Sequence, residues 1–555
     1  MAETILSQGV GYGIILGFGA LFALGMWYLS ILLARFQNEV QGMQIFVFAV
    51  AAMELKRRAP GAHTFLELAR IRYGKAGHIT FITYSTIYAI INCVNILVGG
   101  SAVFTALTGM DVVAGVWLLP VGVVIYTLTG GIKATILTDY SHTVVIYAMV
   151  LAGLFIVYTR SDILGSPDIV YDRLRAAAKI APVSGNAGGE YLTMHSQDGV
   201  LLGVVFWCAV FGTTIDVQLF QKAITADPSA TLPGYMIGGL SWFSIPFCLA
   251  TTFGLAARAM QGLPEMHTIT TKDITQGLAM PYAAQALMGT GGAVFVLLMI
   301  FMACTAGFSA DIVSVAAVFT YDVYGAYINP AASGVKLLRM SHLAVVIWSV
   351  CMAIIATGIT HTTIGVNYLV TCMGIFTSCA VWPFYSTTLW ERQNKTAVIT
   401  EIHIADDSDV KGLTSEQAAQ EKSHELLTPE QDLDLRRGKV KAMAIAAVLC
   451  LIFVILWPMP MYGTNYIFSR GFFKFWVALT FLWAFGAAFT ITIMPLVQGR
   501  KTIRLFFTTM IFGKTPPQTA ALEGVNVGGE GGEDFDYRSN RPEGEKHSRA
   551  DEQAV

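Results

Sequence analysis

Residues 283–319 read AAQALMGTGGAVFVLLMIFMACTAGFSADIVSVAAVF, an apolar run whose one formal charge is Asp311. A helix needs about 20 apolar residues to cross about 30 Å of hydrocarbon, so this run alone exceeds one bilayer. The same pattern recurs along the chain. Ten further stretches have comparable character: Gly11–Ala34, Thr80–Leu107, Val112–Thr129, Val144–Tyr158, Val200–Asp216, Met236–Ala257, Leu343–Ile359, Ile364–Trp382, Ala442–Trp457 and Phe472–Ile493. With Ala283–Phe319 they make eleven candidate spans and predict an all-α polytopic membrane protein.

Bulk composition agrees. Only 13% of the 555 residues are charged, against about 25% in an ordinary soluble domain, and the mean hydropathy is +0.58. The start, Met1-Ala2-Glu3-Thr4, has no basic region or small-residue cleavage site ahead of the first span, so that span is expected to stay in the product. The eight cysteines fall in or beside apolar stretches without a CxxC pair, which reads as packing and not as disulfides or a metal set. A net charge of -2 with no basic stripe gives no reason to expect a nucleic-acid partner.

Basic residues set an expected orientation. With the N-terminus outside, Arg35, Lys56-Arg57-Arg58 with Arg70, Arg72 and Lys75, Lys133, Lys222, Lys336 with Arg339, Arg436-Arg437 with Lys439 and Lys441, and Arg500-Lys501 with Arg504 all fall inside, as does the C-terminus. The basic loop Arg160–Gln197 is the external exception, and long loops cross regardless of charge. The segment Gly42–Met53 is too short to span. Four parts follow: a main membrane domain over 1–393, an acidic cytoplasmic linker over 394–440, C-terminal membrane helices over 441–500, and a Gly, Glu and Asp-rich tail over 515–555 with too little apolar area to fold alone.

The chain contains no GxxxxGK[ST] phosphate loop and no HExxH pair, and no nucleophile or metal set, which argues against an ATP-driven pump and against a membrane enzyme. A carrier or channel for small solutes is left. Spans that look interruptible at Gly212, Pro246 and Ala303–Phe308 favour the carrier, because carriers use freed backbone groups at midplane to bind solute and ion.

Carboxylates in hydrocarbon cost several kcal/mol unless paired or hydrated. Asp216 follows Thr213-Thr214 at the end of its span, either as a substrate ligand or simply paired with Lys222 at the inner interface. Asp311 lies deeper, one turn beyond Gly307 and one turn before Ser314, and two readings stand together: a proton- or cation-linked role, or a structural hydrogen bond to a neighbouring helix. Thr305 and Ser309 share one helix face; such hydroxyls serve an ion or bond back to their own carbonyls. Gly13, Gly17 and Gly99-Gly100 read as close helix packing.

Several motifs resemble a known family. They are Leu55-Lys56-Arg57-Arg58-Ala59-Pro60-Gly61-Ala62-His63-Thr64-Phe65-Leu66-Glu67, Gly130-Gly131-Ile132-Lys133-Ala134-Thr135 with Thr138-Asp139-Tyr140, Gln221-Lys222-Ala223-Ile224, Gly238-Gly239-Leu240-Ser241-Trp242-Phe243-Ser244-Ile245-Pro246, Phe319-Thr320-Tyr321-Asp322-Val323-Tyr324 and Leu456-Trp457-Pro458-Met459-Pro460. Together they resemble the sodium/solute symporter family, in its branch of fungal and plant urea active transporters. The resemblance implies a five-plus-five inverted-repeat carrier with alternating access in the plasma membrane. Its cargo would be urea or polyamines moved with a coupling cation, H+ or Na+, and no other cofactor. The alternative is a non-transporting paralogue or sensor that keeps the transporter shell.

Departures sharpen these expectations. Between Gln37 and Lys56 the first core helix of the family is missing, and a second gap follows Val398, so the first repeat is incomplete. Sodium-coupled members place two adjacent hydroxyl residues where this chain has Ala306-Gly307, which points to a proton, with Asp311 matching an acidic position of the urea branch. Phe206 and Val210 stand where that branch carries asparagines, and apolar groups there weaken capture of a solute made of donors and acceptors. The expected substrate-binding residues are Asp216, Phe206 and Trp242; the expected ion-coupling residues are Asp311, Thr305 and Ser309.

Overall fold

A computed structural model describes residues 7–12, 14, 51–55, 57, 62–197, 199, 215–225, 228–380, 383, 384, 429–498 and 500. Residues Met1–Gln498 form one compact unit and Gly499–Val555 a second. Most of the first span Gly11–Ala34, Phe206 and Val210, the break expected at Gly212, most of the acidic linker and the tail 515–555 lie outside the described residues.

Ten main helices make up the described part: α1 Phe65–Thr108, α2 Val112–Phe155, α3 Pro167–Ile180, α4 Val217–Thr225, α5 Pro228–Leu249, α6 Ala279–Ala317, α7 Gly334–Thr360, α8 Val366–Thr377, α9 Pro429–Cys450 and α10 Arg470–Gln498. No strand occurs among the described residues, only two isolated bridges. This is the expected outcome in hydrocarbon, where a helix satisfies every backbone group within its own segment.

Both α1 and α2 are 44 residues long. Unbent, each would reach about 66 Å, twice the hydrocarbon thickness. Glycine resolves the conflict in both. Gly74 (φ 67°) turns α1 after a short leading segment, and Gly131 (φ 53°) divides α2 into the spans Val112–Ile132 and Ala134–Arg160. A Cβ at Gly131 would meet nothing within 4 Å, so backbone conformation alone requires glycine there.

Seven described helical segments are long and apolar enough to cross a membrane: Phe65–Thr108, Val112–Ile132, Ala134–Arg160, Ile237–Ala259, Ala279–Ile328, Gly334–Thr360 and Arg470–Ile493. Each overlaps one of the eleven expected stretches. Of the other four, Ile364–Trp382 yields the shorter apolar helix Val366–Thr377. Ala442–Trp457 lies in α9 and the wide turn that extends it to Leu456.

The break expected at Ala303–Phe308 is absent. Helix α6 bends at Gly289 (φ 58°) and then runs through that stretch, widening only at Val318–Ile328. Pro246 does not end α5 either; the helix continues to Leu249 and opens into a wide turn at Ala250–Gly254. Tyr147 of α2 donates to the Ser241 carbonyl at 2.5 Å, and Tyr158, in the wide turn Ile156–Arg160 that follows α2, to that of Thr251 at 2.5 Å. Neighbouring helices often re-satisfy backbone groups freed in this way.

Helix α6 packs against α1, α2 and α7. A Cβ at Gly100 would sit 2.7 Å from Cys304 Sγ, and one at Gly307 3.0 Å from Ile96 Cδ1, so small residues set the α1–α6 approach, as read for Gly99-Gly100. Cys93, Cys248, Cys304, Cys351, Cys372 and Cys379 are free, with Cys93 and Cys248 buried.

On the side expected to be external, α3 starts at an N-cap Ser166 followed by Pro167 and buries Val170, Leu174 and Ala178. Its acidic face meets α10: Asp168 binds Lys474 at 2.9 Å and Arg470 at 3.2 Å, and Asp172 also pairs with Arg470. The Lys474 hydrogen bond, aided by Arg470, holds the Asp168 carboxyl below its ordinary range.

Candidate functional site

A narrow cleft opens between three elements. Helix α1 supplies Ser85, Thr86 and Ala89, the entry to α4 supplies Asp216 and Val217, and α6 with its extension supplies Ser314, Val315 and Val318. One carboxylate and three hydroxyl residues thus line it among short apolar side chains, in a space that admits about one water as it stands.

Asp216, 3% exposed, sits immediately before α4. Its Oδ1 accepts from the Gln218 backbone N–H at 3.0 Å and its Oδ2 from the Gln218 amide at 2.5 Å. These are the bonds of a helix N-cap. Lys222 does not pair with it. The ammonium binds Asp139 Oδ2 at 2.8 Å instead, tying α4 to the second half of α2. The pairing of Asp216 with Lys222 is therefore corrected: position 222 is one and a half turns into α4 and faces α2.

Asp311 is fully buried at the centre of the packed helices. Its Oδ2 accepts from Asn92 Nδ2 at 2.7 Å and from Cys93 Sγ at 3.5 Å, both on α1. Trp348 on α7 donates in turn to Cys93 Sγ at 3.4 Å. The other oxygen, Oδ1, has no hydrogen-bond partner. One turn on, Ser314 donates to the Asp311 carbonyl at 2.8 Å and also lines the cleft, so backbone and side chain connect the buried acid to the cavity wall.

Thr305 and Ser309 both bond back to their own helix. Thr305 Oγ1 donates to the carbonyls of Phe301 and Met302 at 2.9 and 3.1 Å, and Ser309 Oγ to that of Ala306 at 2.9 Å. Trp242 is 39% exposed on α5 and is not among the residues that line the cleft. The structure thus brings Asp216 to the cleft and Asp311 beside it, but not Trp242.

Two clusters were missed in the sequence. Asp322, near the end of the α6 extension, accepts from Thr64 Oγ1 at 2.7 Å and contacts His78 Nε2 at 2.9 Å, while His78 Nδ1 meets the Tyr327 hydroxyl at 2.6 Å. Glu54, 1% exposed, binds Arg57 at 2.6 Å and Lys439 of α9 at 3.2 Å. Asn92 was missed too, although an amide inside the apolar run Thr80–Leu107 is itself a signal of a polar partner. Among the described residues no group of His, Cys, Asp or Glu is arranged to hold a metal.

The family model for the sodium:solute symporters matches residues 3–402. The chain belongs to the sodium:solute symporter family. It is 35% identical to the "Probable urea active transporter 1" of Schizosaccharomyces pombe, with 95% of this chain and 96% of that protein covered. It is 34% identical to the "Urea active transporter" of Saccharomyces cerevisiae, over 91% of this chain and 92% of that one. The "Urea-proton symporter DUR3" of Oryza sativa is 38% identical over 71% of this chain and 63% of its own length. A solved structure titled as the substrate-bound outward-open state of a Na+-coupled sialic acid symporter superposes with a TM-score of 0.52 at 14% identity, covering 79% of this chain and 98% of that one. That likeness shows the shared fold.

This symporter is accordingly a multi-pass membrane carrier and not an enzyme, and it couples a small solute to a cation. Its match to the first S. pombe relative runs over 641 aligned positions, more than its own 555 residues. The relative therefore contains internal segments without a counterpart here. The gaps expected after Gln37 and Val398 fall outside the described residues.

Proposed function

We propose that this symporter imports urea across the plasma membrane and that its coupling ion is the proton, taken up on Asp311. The observation that carries the reading is the state of that carboxylate: deeply buried, with both donors on Oδ2 and Oδ1 bare. A bare oxygen in that position is where a proton attaches with least rearrangement. The sequence supports the same choice, since Ala306-Gly307 offers no hydroxyl where sodium-coupled members place two. Urea presents N–H donors around one carbonyl, which suits a cleft of one carboxylate and three hydroxyl residues. The names of the three curated relatives support urea as cargo.

The expected orientation, N-terminus outside and C-terminus in the cytoplasm, rests on the basic residues that flank the spans. Within it, 394–440 serves as a cytoplasmic linker between the membrane blocks 1–393 and 441–500, and 515–555 as a cytoplasmic tail. Trp242 and Phe206 stay candidates for contact with solute in another stage of the transport cycle.

Uptake of labelled urea by proteoliposomes holding the full chain, with an imposed pH gradient and no sodium, tests both halves. Wild-type uptake driven by the gradient, and its loss in Asp311→Asn at normal reconstitution, is the expected result. Uptake that follows a sodium gradient and ignores the proton gradient overturns it.

A further inference from the structure

Asp311 accepts its hydrogen bonds in an uneven way. Both donors come from one turn of α1, and both reach Oδ2. The amide of Asn92, at 2.7 Å, is the short contact; the Cys93 thiol, at 3.5 Å, is long and is itself held by Trp348 from α7. An amide N–H neither gives up nor takes a proton at working pH. What it does is stabilise the ionised carboxylate relative to the neutral acid and fix which oxygen is left open.

We infer that Asn92 is the positioning residue of the coupling site: it holds Oδ2, leaves Oδ1 to receive the proton, and sets the pH over which the carrier loads. This rests on Asp311 being the proton site. The remaining titratable and charged groups around the carboxylate are accounted for element by element. Helix α1 adds Tyr88 and Cys93, the segment entering α4 adds Asp216, and α4 itself adds Lys222, which acts from a distance because Asp139 of α2 neutralises it at 2.8 Å. Helix α7 faces the site through the indole of Trp348. Of these, Asn92 is the group with a short direct bond to the carboxylate.

The sign of the effect follows from the chemistry. Removing the amide donor disfavours the ionised form, so the proton-loaded carrier persists to higher pH. Asn92→Leu, close in volume, moves the midpoint of urea uptake against external pH upward by about one unit, the size of one hydrogen bond to a charged group. Proton release inside slows, so the maximal rate falls while the KM for urea at low pH is unchanged. Cys93→Ala, which removes the longer contact, shifts the midpoint the same way by less.

The experiment is uptake by proteoliposomes of the full chain across external pH for wild type, Asn92→Leu, Cys93→Ala and Asp311→Asn. If Asn92→Leu does not reconstitute, Asn92→Ser takes its place. An upward midpoint shift with unchanged KM supports the proposal. An unmoved midpoint in a transporting Asn92 variant, with pH dependence lost in Asp311→Asn, overturns it and leaves the proton site standing. Pronounced pH dependence retained in Asp311→Asn overturns both.

Discussion

Helix α6 and its extension bury two aspartates eleven residues apart, and their surroundings differ in one respect. Asp322 is fully engaged: Thr64 and His78 occupy its two oxygens, and Tyr327 completes the chain through His78. Asp311 has both donors on one oxygen and nothing on the other. A buried carboxylate with all its bonds made is a fastener, because breaking any bond leaves an uncompensated polar group. One with a bare oxygen has capacity left over, and in a carrier that capacity is available to the transported ion. Burial alone does not separate these two acids; the bonds on each oxygen do, together with the absence of a paired cation such as the Lys222 ammonium that holds Asp139, whose Oδ1 is also bare.

The comparison breaks if the two positions respond alike to substitution. Asp322→Ala removes the partner of both Thr64 and His78 and is expected to cost about 3 kcal/mol of stability, read as a lower thermal midpoint and a lower yield in detergent. Asp311→Asn keeps the shape and the bond to one oxygen, so yield and thermal midpoint stay near wild type while proton-driven uptake falls about 100-fold, the scale typical of losing an essential proton carrier. If instead Asp322→Ala is stable and inactive, the roles assigned to the two acids are exchanged.

A smaller effect sharpens the contrast. Lys222→Met strands the Asp139 carboxylate at a half-buried pair and is expected to destabilise by about 1 kcal/mol, with most of the loss restored by Asp139→Asn in the same chain. No recovery in the double variant would mean that the pair does not fasten α4 to α2.

The smallest effect lies at the exposed cluster of Asp168, Arg470 and Lys474. Because its partners depress the Asp168 carboxyl, the stability it contributes is present above the ordinary aspartate range, near pH 4, and is lost as pH falls through the lower folded value. The difference in thermal midpoint between wild type and Asp168→Asn should therefore shrink below about pH 4. A difference that instead grows on acidification would contradict the pairing of α3 with α10.

Several features were legible in the chain itself. Seven of the stretches picked out by apolar length are long membrane-capable helices, and Asp311, the lone charge in residues 283–319, does lie at the packed centre. Thr305 and Ser309 make the bonds to their own backbone that the sequence offered as one of two readings. The expected helix break failed for a specific reason. Ala303–Phe308 contains small residues but nothing that forbids a helix, whereas the real bends fall at Gly74, Gly131 and Gly289, where φ is positive and only glycine is comfortable.

What the sequence determined by itself follows from local physics. Hydrocarbon accepts backbone only when each segment satisfies its own hydrogen bonds, so apolar length dictates a multi-pass helical protein before any tertiary contact is known. Partners are another matter. Asn92 and Asp311 are 219 positions apart, and His78 and Asp322 are 244 apart. Whether they meet depends on how each helix is rotated and offset against its neighbours, which is set by close packing such as Gly100 on Cys304 and Gly307 on Ile96. Only the tertiary structure decided that Lys222 belongs to Asp139 rather than Asp216, and that of the two aspartates buried by α6 and its extension Asp311 keeps an oxygen free.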